Sequence, residues 1–568
     1  MRKIFFTIFA FLILLPVGNV RAANFSDYIN FNVDETYDAG ARSQITATLV
    51  KTTPNLYFYI EKSWWDLQVE AKQNEILANL NNLSFEFDGR IYPILTSVFG
   101  SEWKPGVDGD SRVTLLFHSM KEGVGGYFNS ADEYIKLQAP SSNEREMLYF
   151  PISQIDNSYK LKVFLAHEFT HLITFNQKER INGTGEETWL DESRAEYAVT
   201  ILGYNNPYNS SNLQSRVKDL LEKPTDPLTE WQGLKYDYGV TNMFIHYLAD
   251  QYGVNILADS LKLKSIGIAS INEALFKNGY KENFSQIFTN WIIALVINNC
   301  SDGSKYCYLE TNLNNFRINP ALIFLPVSGD SSLSLTNVTK DWSGNWQKII
   351  GVNGNLKLEF SSLAGLNFKV PYILFGKDGT YSVKFLTLDE NQKGVIDIQN
   401  FGADYNSLVI IPSLQTKLAG FNGDEPTYPY TINVAVTGNV PKEEMALQQD
   451  LLNQIESLKN QIAAILAKNK SGSTLPSPGV LCVQLNNNLY FGLLNSSEVR
   501  CLQQFLKSQG ISIYPEGLIS GNFGSLTKSA VIRFQEKYKS EVLTPIGLSQ
   551  GTGFVGTLTR QKINALLK

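Results

Sequence analysis

The spacing of apolar residues changes along the chain, and each change predicts a different kind of structure. In the first part, strand-like and helical patterns alternate, with strands near 56–60 and 112–117 and a helix near 66–80. From about residue 160 to 300, apolar residues recur every three or four positions, which predicts helices near 161–177, 188–203, 238–252 and 284–299. Together these patterns predict one α+β domain over residues 23–328.

A different pattern begins near residue 330. Short apolar runs such as LKLEF, YSVKFL, SLVIIP and TINVAV are separated by Gly, Asn and Asp, which is typical of short strands joined by turns. We therefore predict a β-sandwich over residues 329–440. Because this stretch contains neither His nor Cys, a packing or substrate-presenting role is the default interpretation.

Residues 441–479 predict a spacer rather than a domain. Apolar side chains at positions 451, 455, 458, 462 and 465 step by four and three residues, as in a coiled-coil seam. The seam is shorter than the roughly three heptads that indicate a coiled coil, so a helical spacer is favoured over a dimer. The following KNKSGSTLPSPG is a flexible linker by composition, and residues 480–568 form the last module.

The N-terminus has the pattern of a secretory signal peptide. Arg2 and Lys3 precede an apolar run over 4–17, and Val20-Arg21-Ala22 offers a small-residue cleavage site. The run is shorter than the roughly 20 residues of a membrane-spanning helix, although an uncleaved anchor is the alternative. We expect residues 1–22 to be removed, leaving a secreted or cell-envelope protein without a transmembrane anchor.

Composition, charge and cysteine content narrow the classes of protein that fit this sequence. A chain of 568 residues with 43% hydrophobic residues is long and apolar enough for several folded domains, which excludes a mostly disordered protein. The net charge is −6 and no dense basic block occurs, so we expect no nucleic-acid partner. Four cysteines suit an exported protein, and the simplest of their three pairings joins Cys300 to Cys307 and Cys482 to Cys501. Buried free thiols are the alternative.

The candidate chemistry begins with two histidines in LKVFLAHEFTHLITF. His167 and His171 are four residues apart, so on a helix both imidazoles lie on one face and can bind one metal ion. Glu168 lies beside them, where a carboxylate can act as general base on a metal-bound water. Zinc in catalytic sites takes three protein ligands and keeps one open position, so this motif predicts a zinc site that needs one further ligand.

TWLDESRAEYA, residues 188–198, offers the third ligand. Glu192 is the best candidate, and Glu196, one helical turn later, is placed to hydrogen-bond a ligating histidine. Asp191 and Glu187 compete for the ligand position, and acidic residues also occur at helix starts for dipole reasons alone.

HEFTH followed by WLDE resembles the gluzincin zinc peptidases, a superfamily of hyicolysin- and thermolysin-like enzymes. The resemblance covers about residues 85–255, with Ser193 where the family phrase usually has Gly. It implies a zincin-type α+β catalytic domain, with His167, His171 and Glu192 as zinc ligands and Glu168 as general base. It also implies Glu196 as the carboxylate behind a ligand.

The segment YDYGVTNMFIHYLADQYG, residues 236–253, resembles the part of the same superfamily that carries an oxyanion-stabilising tyrosine. Tyr236 is the matched position and Tyr238 is a near rival, while simple packing at a helix start is the alternative for both. His118 and His246 are interpreted as structural. Asp108 and Asp110, in GVDGD, are interpreted as a turn rather than a calcium site, because the twelve-residue EF-hand pattern is missing.

The substrate class is predicted from what surrounds the motif. The aminopeptidase signature Gly-x-Met-Glu-Asn is missing from the sequence. In its place, GVGGYF at 123–128 suits an edge strand that pairs with an extended peptide. We therefore predict an endopeptidase acting on proteins, with two alternatives: a hydrolase of peptidoglycan stem peptides, and a non-catalytic wall-binding surface protein.

The last module resembles the peptidoglycan-binding domain type 1, a small all-α three-helix fold. The phrase GNFGSLT, residues 521–527, is echoed by GTGFVGTLT, residues 551–559, which predicts two quasi-repeated loop–helix units. Gly residues are expected to supply positive φ in the loops, and Thr527 and Thr559 to cap the helices. The resemblance implies peptidoglycan as a partner through residues 480–568.

Overall fold

The computed structural model describes residues 28–325, 330–351, 353–421, 423–437, 454, 482, 484–493, 496–515 and 517–567. The predicted signal peptide, 1–22, lies outside the described residues, as does the predicted spacer and linker, 441–479, apart from residue 454. The chain forms two compact units, Met1–Ala446 and Leu447–Lys568. None of the described helices is both long and apolar enough to cross a bilayer.

The larger unit begins with a six-stranded sheet. Its strands are β1 (Tyr28–Asn32), β2 (Gln44–Thr52), β3 (Leu56–Glu61), β4 (Val113–His118), β5 (Tyr127–Phe128) and β6 (Met147–Pro151). Their spatial order is β1-β2-β3-β4-β6-β5, in which β3, β4 and β6 run parallel and the other neighbours antiparallel. Every residue of β4 and β6 is buried, as expected for central strands covered on both faces. The short strand β5 comes last in this order and lies at the edge of the sheet.

Ten α-helices are described in this unit. They are α1 (Lys62–Trp65), α2 (Glu70–Glu86), α3 (Tyr92–Phe99), α4 (Ser158–Thr174), α5 (Thr188–Ile201), α6 (Asn212–Glu222), α7 (Lys235–Tyr252), α8 (Asn255–Leu261), α9 (Gly267–Lys277) and α10 (Phe284–Ile297). The helices that apolar spacing predicts are all present, with ends shifted by a few residues. Three of the starts are fixed by side-chain caps: Asn157 accepts from the Lys160 amide, Ser211 from the Gln214 amide and Asn283 from the Gln286 amide.

The region predicted as a β-sandwich is rich in strands but has a different architecture. Its strands are β7 (Ala321–Phe324), β8 (Ser331–Thr339), β9 (Gln347–Ile350), β10 (Gly354–Ser362), β11 (Phe368–Lys369), β12 (Pro371–Gly376), β13 (Tyr381–Phe385), β14 (Lys393–Phe401), β15 (Tyr405–Ile410), β16 (Ser413–Leu414) and β17 (Tyr428–Thr437). Nine of them form one curled mixed sheet, while β11 and β16 form a separate ribbon.

The sandwich prediction is wrong because one strand joins what would otherwise be two sheets. β15 pairs with β14 through Phe401 and Tyr405 and, farther along, with β9 through Leu408 and Ile349. Residues 402–404 join β14 to β15, and the two strands share one parallel bridge. The sheet therefore curls around its own buried apolar face instead of dividing into two packed layers.

The curled sheet and the helices share part of their core. The ring of Trp342 packs against Phe284 and Phe288 of α10, with ring centroids 5.0 and 5.4 Å apart. The indole Nε1 of Trp346 donates to the carbonyl of Ile292, 2.9 Å away. The disulfide Cys300–Cys307 follows α10, which confirms the predicted pairing. These contacts place the two regions in a single compact unit.

The smaller unit is helical, as predicted. Its described helices are α11 (Ser497–Ser508), α12 (Ser525–Lys537), α13 (Lys539–Val542) and α14 (Thr557–Leu566), so a short fourth helix accompanies the three longer ones. The disulfide Cys482–Cys501 is also as predicted.

The internal repeat of this unit is visible in two buried glutamines. The amide nitrogen of Gln503 donates to Thr527 Oγ1 at 2.9 Å, and its oxygen accepts from the Gly521 amide at 2.8 Å. Gln535 makes the same pair of contacts 32 positions later, with Thr559 Oγ1 at 3.0 Å and the Gly553 amide at 2.9 Å. Gly521 and Gly553 have φ of +79° and +73°, as expected.

The predicted capping role of Thr527 and Thr559 is wrong. The N-cap residues of α12 and α14 are Gly524 and Gly556, and neither helix start has a side-chain cap. Both threonine hydroxyls accept hydrogen bonds from the buried glutamines instead, because each lies a turn inside its helix on the face toward the core.

Candidate metal centre

The HExxH motif lies near the end of α4, a helix buried along most of its length. His167 and His171 occupy adjacent turns, with ring centroids 4.9 Å apart and planes at 75°. Their spacing brings both imidazoles to the same face, toward α5. The helix therefore presents two nitrogen donors to the neighbouring helix.

Glu192 on α5 completes a group of three donors. Its Oε2 lies 3.2 Å from Nε2 of His167 and 3.7 Å from Nε2 of His171. One ligand atom from each residue falls within 4.8 Å of the others. Tetrahedral zinc with bonds of about 2.0–2.1 Å places its donors about 3.4 Å apart, so these separations suit a shared ion.

The chemistry of the donor set supports the same fit. Oε2 of Glu192 is buried and has no hydrogen-bond partner among the described residues. A buried carboxylate oxygen without a donor is costly unless a cation is bound beside it. Two imidazoles and one carboxylate match the zinc sites that leave a fourth position open for water.

The Nδ1 atoms of the two histidines are directed at other carboxylates. Nδ1 of His171 lies 2.9 Å from Oδ2 of Asp191, and Nδ1 of His167 lies 3.6 Å from Oε1 of Glu196. Such a carboxylate fixes the ring orientation and leaves Nε2 for the metal. Asp191, considered above as a possible zinc ligand, therefore contacts the Nδ1 edge of the His171 ring, opposite the Nε2 atom that would bind zinc.

Glu196 is held by three side chains that the sequence did not single out. Arg216 forms two contacts with its carboxylate, at 2.8 and 2.9 Å, and the amides of Asn212 and Asn242 donate to Oε2. Burial alone would raise the pKa of Glu196, but Arg216 and His167 lower it to about 2. Glu196 is therefore a fixed negative charge behind His167.

Glu168 lines a cleft of about 340 Å³ together with His167, Gly126 and Tyr238. Burial raises the pKa of the Glu168 carboxyl, while His167 and His171 act to lower it. A Cβ added at Gly126 would lie 2.9 Å from the Tyr149 carbonyl and 3.3 Å from Oε1 of Glu168. The glycine lets the chain before β5 pass close to this carboxylate.

The two tyrosines at the start of α7 have different surroundings. Tyr236 is half-buried, and its phenol donates to Oε1 of Glu222 at 2.7 Å in a hydrogen bond at the surface. The ring of Tyr238 lines the cleft, packs edge-on against Trp231, and lies under the guanidinium of Arg216 at 4.5 Å. Burial and the nearby Glu192 raise the pKa of Tyr238 well above its usual value. The structure does not bring Tyr236, the residue matched by resemblance, to the cleft.

The remaining candidates lie away from the three donors. Glu187 accepts from the Trp189 indole and from the Gly420 amide, both at 2.8 Å. His246 is buried between Thr200 and the Asn242 carbonyl. Asp110 accepts from Tyr57 and Arg112 beside its turn, and buried His118 contacts Asp38.

Comparisons with known proteins find one metalloprotease relative and one peptidoglycan-binding family match. Neutral metalloprotease ShpI of Staphylococcus hyicus is 28% identical over 243 residues, and the match covers 38% of this chain and 52% of ShpI. The chain thus spans about half the length of that relative. Residues 495–542 match the family described as "Putative peptidoglycan binding domain".

Two solved structures show only slight overall likeness. The periplasmic g-type lysozyme inhibitor PliG of Aeromonas hydrophila is 12% identical over 21% of this chain and all of its own, with a TM-score of 0.15. The IMPa metallopeptidase of Pseudomonas aeruginosa is 10% identical over 76% of this chain and 53% of its own, with a TM-score of 0.11. Scores this low carry no argument about fold. The chain is a distant homologue of a neutral metalloprotease, and it has a His-His-Glu group that could hold a metal ion and a C-terminal match to a peptidoglycan-binding family.

Proposed function

We propose that this protein is an exported zinc endopeptidase that cuts proteins at the bacterial cell wall. The observation that carries the proposal is the convergence of three donors: Nε2 of His167, Nε2 of His171 and the buried Oε2 of Glu192. His167, His171 and Glu192 would hold the zinc ion. When bound there, zinc supplies a Lewis acid for the scissile carbonyl and acidifies the attacking water.

Glu168 is the proton carrier of the proposed reaction. Its carboxylate takes a proton from the water as the water attacks the carbonyl carbon, and returns it to the leaving amine nitrogen as the peptide bond breaks. Burial, which raises its pKa, makes the carboxyl a better base than an exposed glutamate. Gly126 supports this role because it leaves room for the carboxylate beside β5.

Tyr238 is the proposed donor to the developing oxyanion. It lines the same cleft as His167 and Glu168, whereas Tyr236 faces solvent. Trp231 and Arg216, which pack against its ring, hold it in place. A phenol donor aimed at the carbonyl oxygen stabilises the transition state more than the ground state.

The edge strand β5 is the proposed binding surface for the substrate backbone. It pairs with β6 on one side, and the glycine-rich segment before it, 123–126, lines the cleft. An extended peptide added to the free side of β5 would run past Glu168. This arrangement selects an unfolded stretch inside a chain, since nothing in the sequence marks a site for a free amino terminus.

The smaller unit is proposed to hold the enzyme at peptidoglycan. Its family match over 495–542 and its two repeated loop–helix units support this role. The predicted signal peptide would deliver the chain to the same compartment. Both disulfides suit an oxidising environment outside the cytoplasm.

The test is digestion of an unfolded protein by the mature chain. We expect Glu168→Gln to lower kcat by about 10²–10⁴-fold while one zinc ion stays bound, because the ligands are intact. Glu70→Gln, at an exposed position at the start of α2, is the matched control and should cut like wild type. A chelator should abolish cutting, and added zinc should restore it. Activity that survives in Glu168→Gln would contradict the mechanism.

The second experiment uses purified sacculi as the substrate and binding partner. The intact Glu168→Gln chain should sediment with them, and wild type should release no soluble muropeptides. Release of cross-linked stem peptides, without cutting of unfolded protein, would establish the stem-peptide hydrolase instead. Absence of both zinc and cutting would establish a non-catalytic wall-binding protein.

A further inference from the structure

The loop that joins β1 to β2, residues 33–43, reaches the segment 123–126, whose glycines line the cleft beside Glu168. The carbonyl of Tyr37 accepts from the Lys121 amide at 2.9 Å, just before this segment. The ring of Tyr37 stacks on the ring of Tyr127, just after it, with centroids 4.7 Å apart and planes at 24°. Tyr37 therefore contacts both ends of the glycine-rich segment.

Buried charges hold this loop against the six-stranded sheet. Asp38 is buried and accepts from the guanidinium of Arg42 at 2.8 and 2.9 Å. The same guanidinium donates to Glu61 of β3 at 2.6 Å, and Glu61 also accepts from the Ser119 amide at 2.9 Å. Because the residue next to Tyr37 is bound to the sheet in this way, the backbone of Tyr37 has a fixed position.

The hydroxyl of Tyr37 is available to a ligand. The residue is 39% exposed, and its hydroxyl has no hydrogen-bond partner among the residues that the structure describes. The hydroxyl of Tyr127 differs, because it is buried and accepts from the Asp34 amide at 3.1 Å. A phenol donates one hydrogen bond, so the fixed ring of Tyr37 carries an unused donor.

This donor lies beside the candidate metal centre. Partial burial and the charge of Asp34 raise the pKa of the Tyr37 phenol above its usual value, so it stays protonated at neutral pH. The carboxylates of Glu168 and Glu192 act in the same direction, which requires both to be near the phenol. Gly126 provides a geometric link. A Cβ added there would lie 3.3 Å from Oε1 of Glu168, and the next residue carries the ring on which Tyr37 stacks.

The direction of a peptide along β5 decides which part of it meets Tyr37. Antiparallel strand pairs outnumber parallel ones roughly two- to three-fold, so antiparallel addition to the edge is the expected mode. A peptide added in this direction has its carboxyl-terminal part beside 123–126 and its amino-terminal part beside Tyr127 and Phe128. Tyr37, which stacks on Tyr127, covers the second of these places.

We propose that the Tyr37 hydroxyl binds the substrate by donating a hydrogen bond to a backbone carbonyl of the peptide, on the amino-terminal side of the scissile bond. The inference rests on the proposed function, because it needs a peptide beside β5. A carbonyl is present at every position of a peptide, so the contact adds affinity for extended chains without selecting a side chain. It differs from the role proposed for Tyr238, which acts on the carbonyl that reacts.

The first measurement uses the zinc-loaded Glu168→Gln chain, in which the peptide is bound and not cut. Fluorescence anisotropy of a fluorescein-labelled casein peptide gives its Kd with and without the second substitution Tyr37→Phe. We expect Tyr37→Phe to raise Kd about 3–10-fold, because the ring still stacks and one neutral hydrogen bond is lost. Tyr28→Phe is the matched control, since it removes an exposed hydroxyl on β1, at the opposite edge of the sheet. Its Kd should stay within about twofold.

Steady-state cutting by chains with Glu168 intact gives the second readout. Tyr37→Phe should raise KM by a similar factor and leave kcat within about twofold, because the lost contact is present in both the ground state and the transition state. A peptide that begins at the residue before the scissile bond has no carbonyl for Tyr37 to bind. With this peptide, Tyr37→Phe and wild type should become equal, whereas a peptide shortened at its carboxyl end should preserve the difference.

Equal Kd and equal KM in Tyr37→Phe and wild type would overturn the proposal, since the ring would then serve only for packing. A fall in kcat at constant KM would also overturn it, because the hydroxyl would then act on the reacting carbonyl. A difference that survives shortening at the amino end would do the same.

Failure of the proposed function has a separate signature. A wild-type chain that binds the peptide with the expected dependence on Tyr37, and never cuts it, would support the contact and reject the protease. Conversely, loss of cutting in Glu168→Gln alongside wild-type KM in Tyr37→Phe would leave the protease standing and reject the contact.

Discussion

Oδ2 of Asp191 lies 2.9 Å from Nδ1 of His171, while Oε2 of the next residue, Glu192, lies 3.7 Å from Nε2 of the same ring. Two adjacent acids at the start of α5 thus approach opposite edges of one imidazole. A helix turns by about 100° per residue, so neighbouring side chains diverge enough to do this. The ring is fixed before any metal binds.

Asp191→Asn tests this arrangement. The amide keeps the shape but not the charge, and it can direct the ring toward the wrong tautomer. We expect zinc affinity to fall about 10–100-fold, measured by competition with a fluorescent chelator at neutral pH. Asp156→Asn, at an exposed ion pair with Lys72, is the control and should leave zinc affinity unchanged. Equal affinities in the two variants would remove Asp191 from the site.

The two tyrosines of α7 form a matched pair. Tyr238→Phe should lower kcat about 10²–10³-fold with little change in KM, because the lost hydrogen bond forms mainly in the transition state. Tyr236→Phe should change kcat by less than about twofold, since its phenol contacts Glu222 at the surface. Steady-state cutting of a quenched peptide measures both. A larger loss in Tyr236→Phe would reverse the assignment.

Glu61 provides a pH-dependent prediction outside the metal site. Burial alone would raise its pKa, but hydrogen bonds from Arg42 and the Ser119 amide lower it from 4.5 to about 2. A lowered folded-state pKa gives stability that is complete above pH 4.5 and is lost as the pH falls toward 2. Glu61→Gln should therefore cost about 2–3 kcal/mol of unfolding free energy at neutral pH and progressively less in acid.

Chemical denaturation of wild type and Glu61→Gln between neutral pH and pH 3 measures this difference. Both chains lose zinc in acid, so the loss cancels between them. Glu75→Gln, exposed on α2, should show no such trend. A difference that stays constant down to pH 3 would mean that the pKa of Glu61 is not lowered.

The repeated glutamines predict equal effects at equivalent positions. Gln503→Ala and Gln535→Ala each leave a glycine amide and a threonine hydroxyl without a buried partner, at a cost of about 1–3 kcal/mol. Calorimetry of the full chain should show the transition of the smaller unit lowered to a similar extent in both. Gln504→Ala, exposed on α11, is the control. A neutral Gln535→Ala would mean that only the first repeat supports the fold.

The sequence predicted those parts of the site that depend on local geometry. His167 and His171 are fixed by helical spacing, and the glutamates on α5 by the same periodicity. It could not decide between Tyr236 and Tyr238, because which side of α7 faces the cleft depends on how the whole helix packs. Arg216 was missed for a related reason: it reaches Glu196 from α6, 20 positions away, and nothing near it in the sequence marks the contact.

In the fold, too, some features follow from the sequence and others do not. Individual helices and strands follow from apolar spacing, and the cysteine pairs from proximity in sequence. The number of sheets after residue 330 does not follow from apolar spacing, because it depends on which strand edges meet. The pairing of Phe401 with Tyr405, and of Leu408 with Ile349, turns two expected layers into one curled sheet.

Trp342 and Trp346 also determine where the chain could be shortened without damage to the larger unit. Both indoles come from beyond residue 328. The ring of Trp342 packs against Phe284 and Phe288 of α10, and the Trp346 indole donates to the Ile292 carbonyl of the same helix. A shortened protein that stops at 328 would expose an apolar hollow shaped for two large rings. A shortened chain that is meant to keep the candidate metal centre should run through β17, because residues of the curled sheet and of α4 and α5 belong to one apolar core.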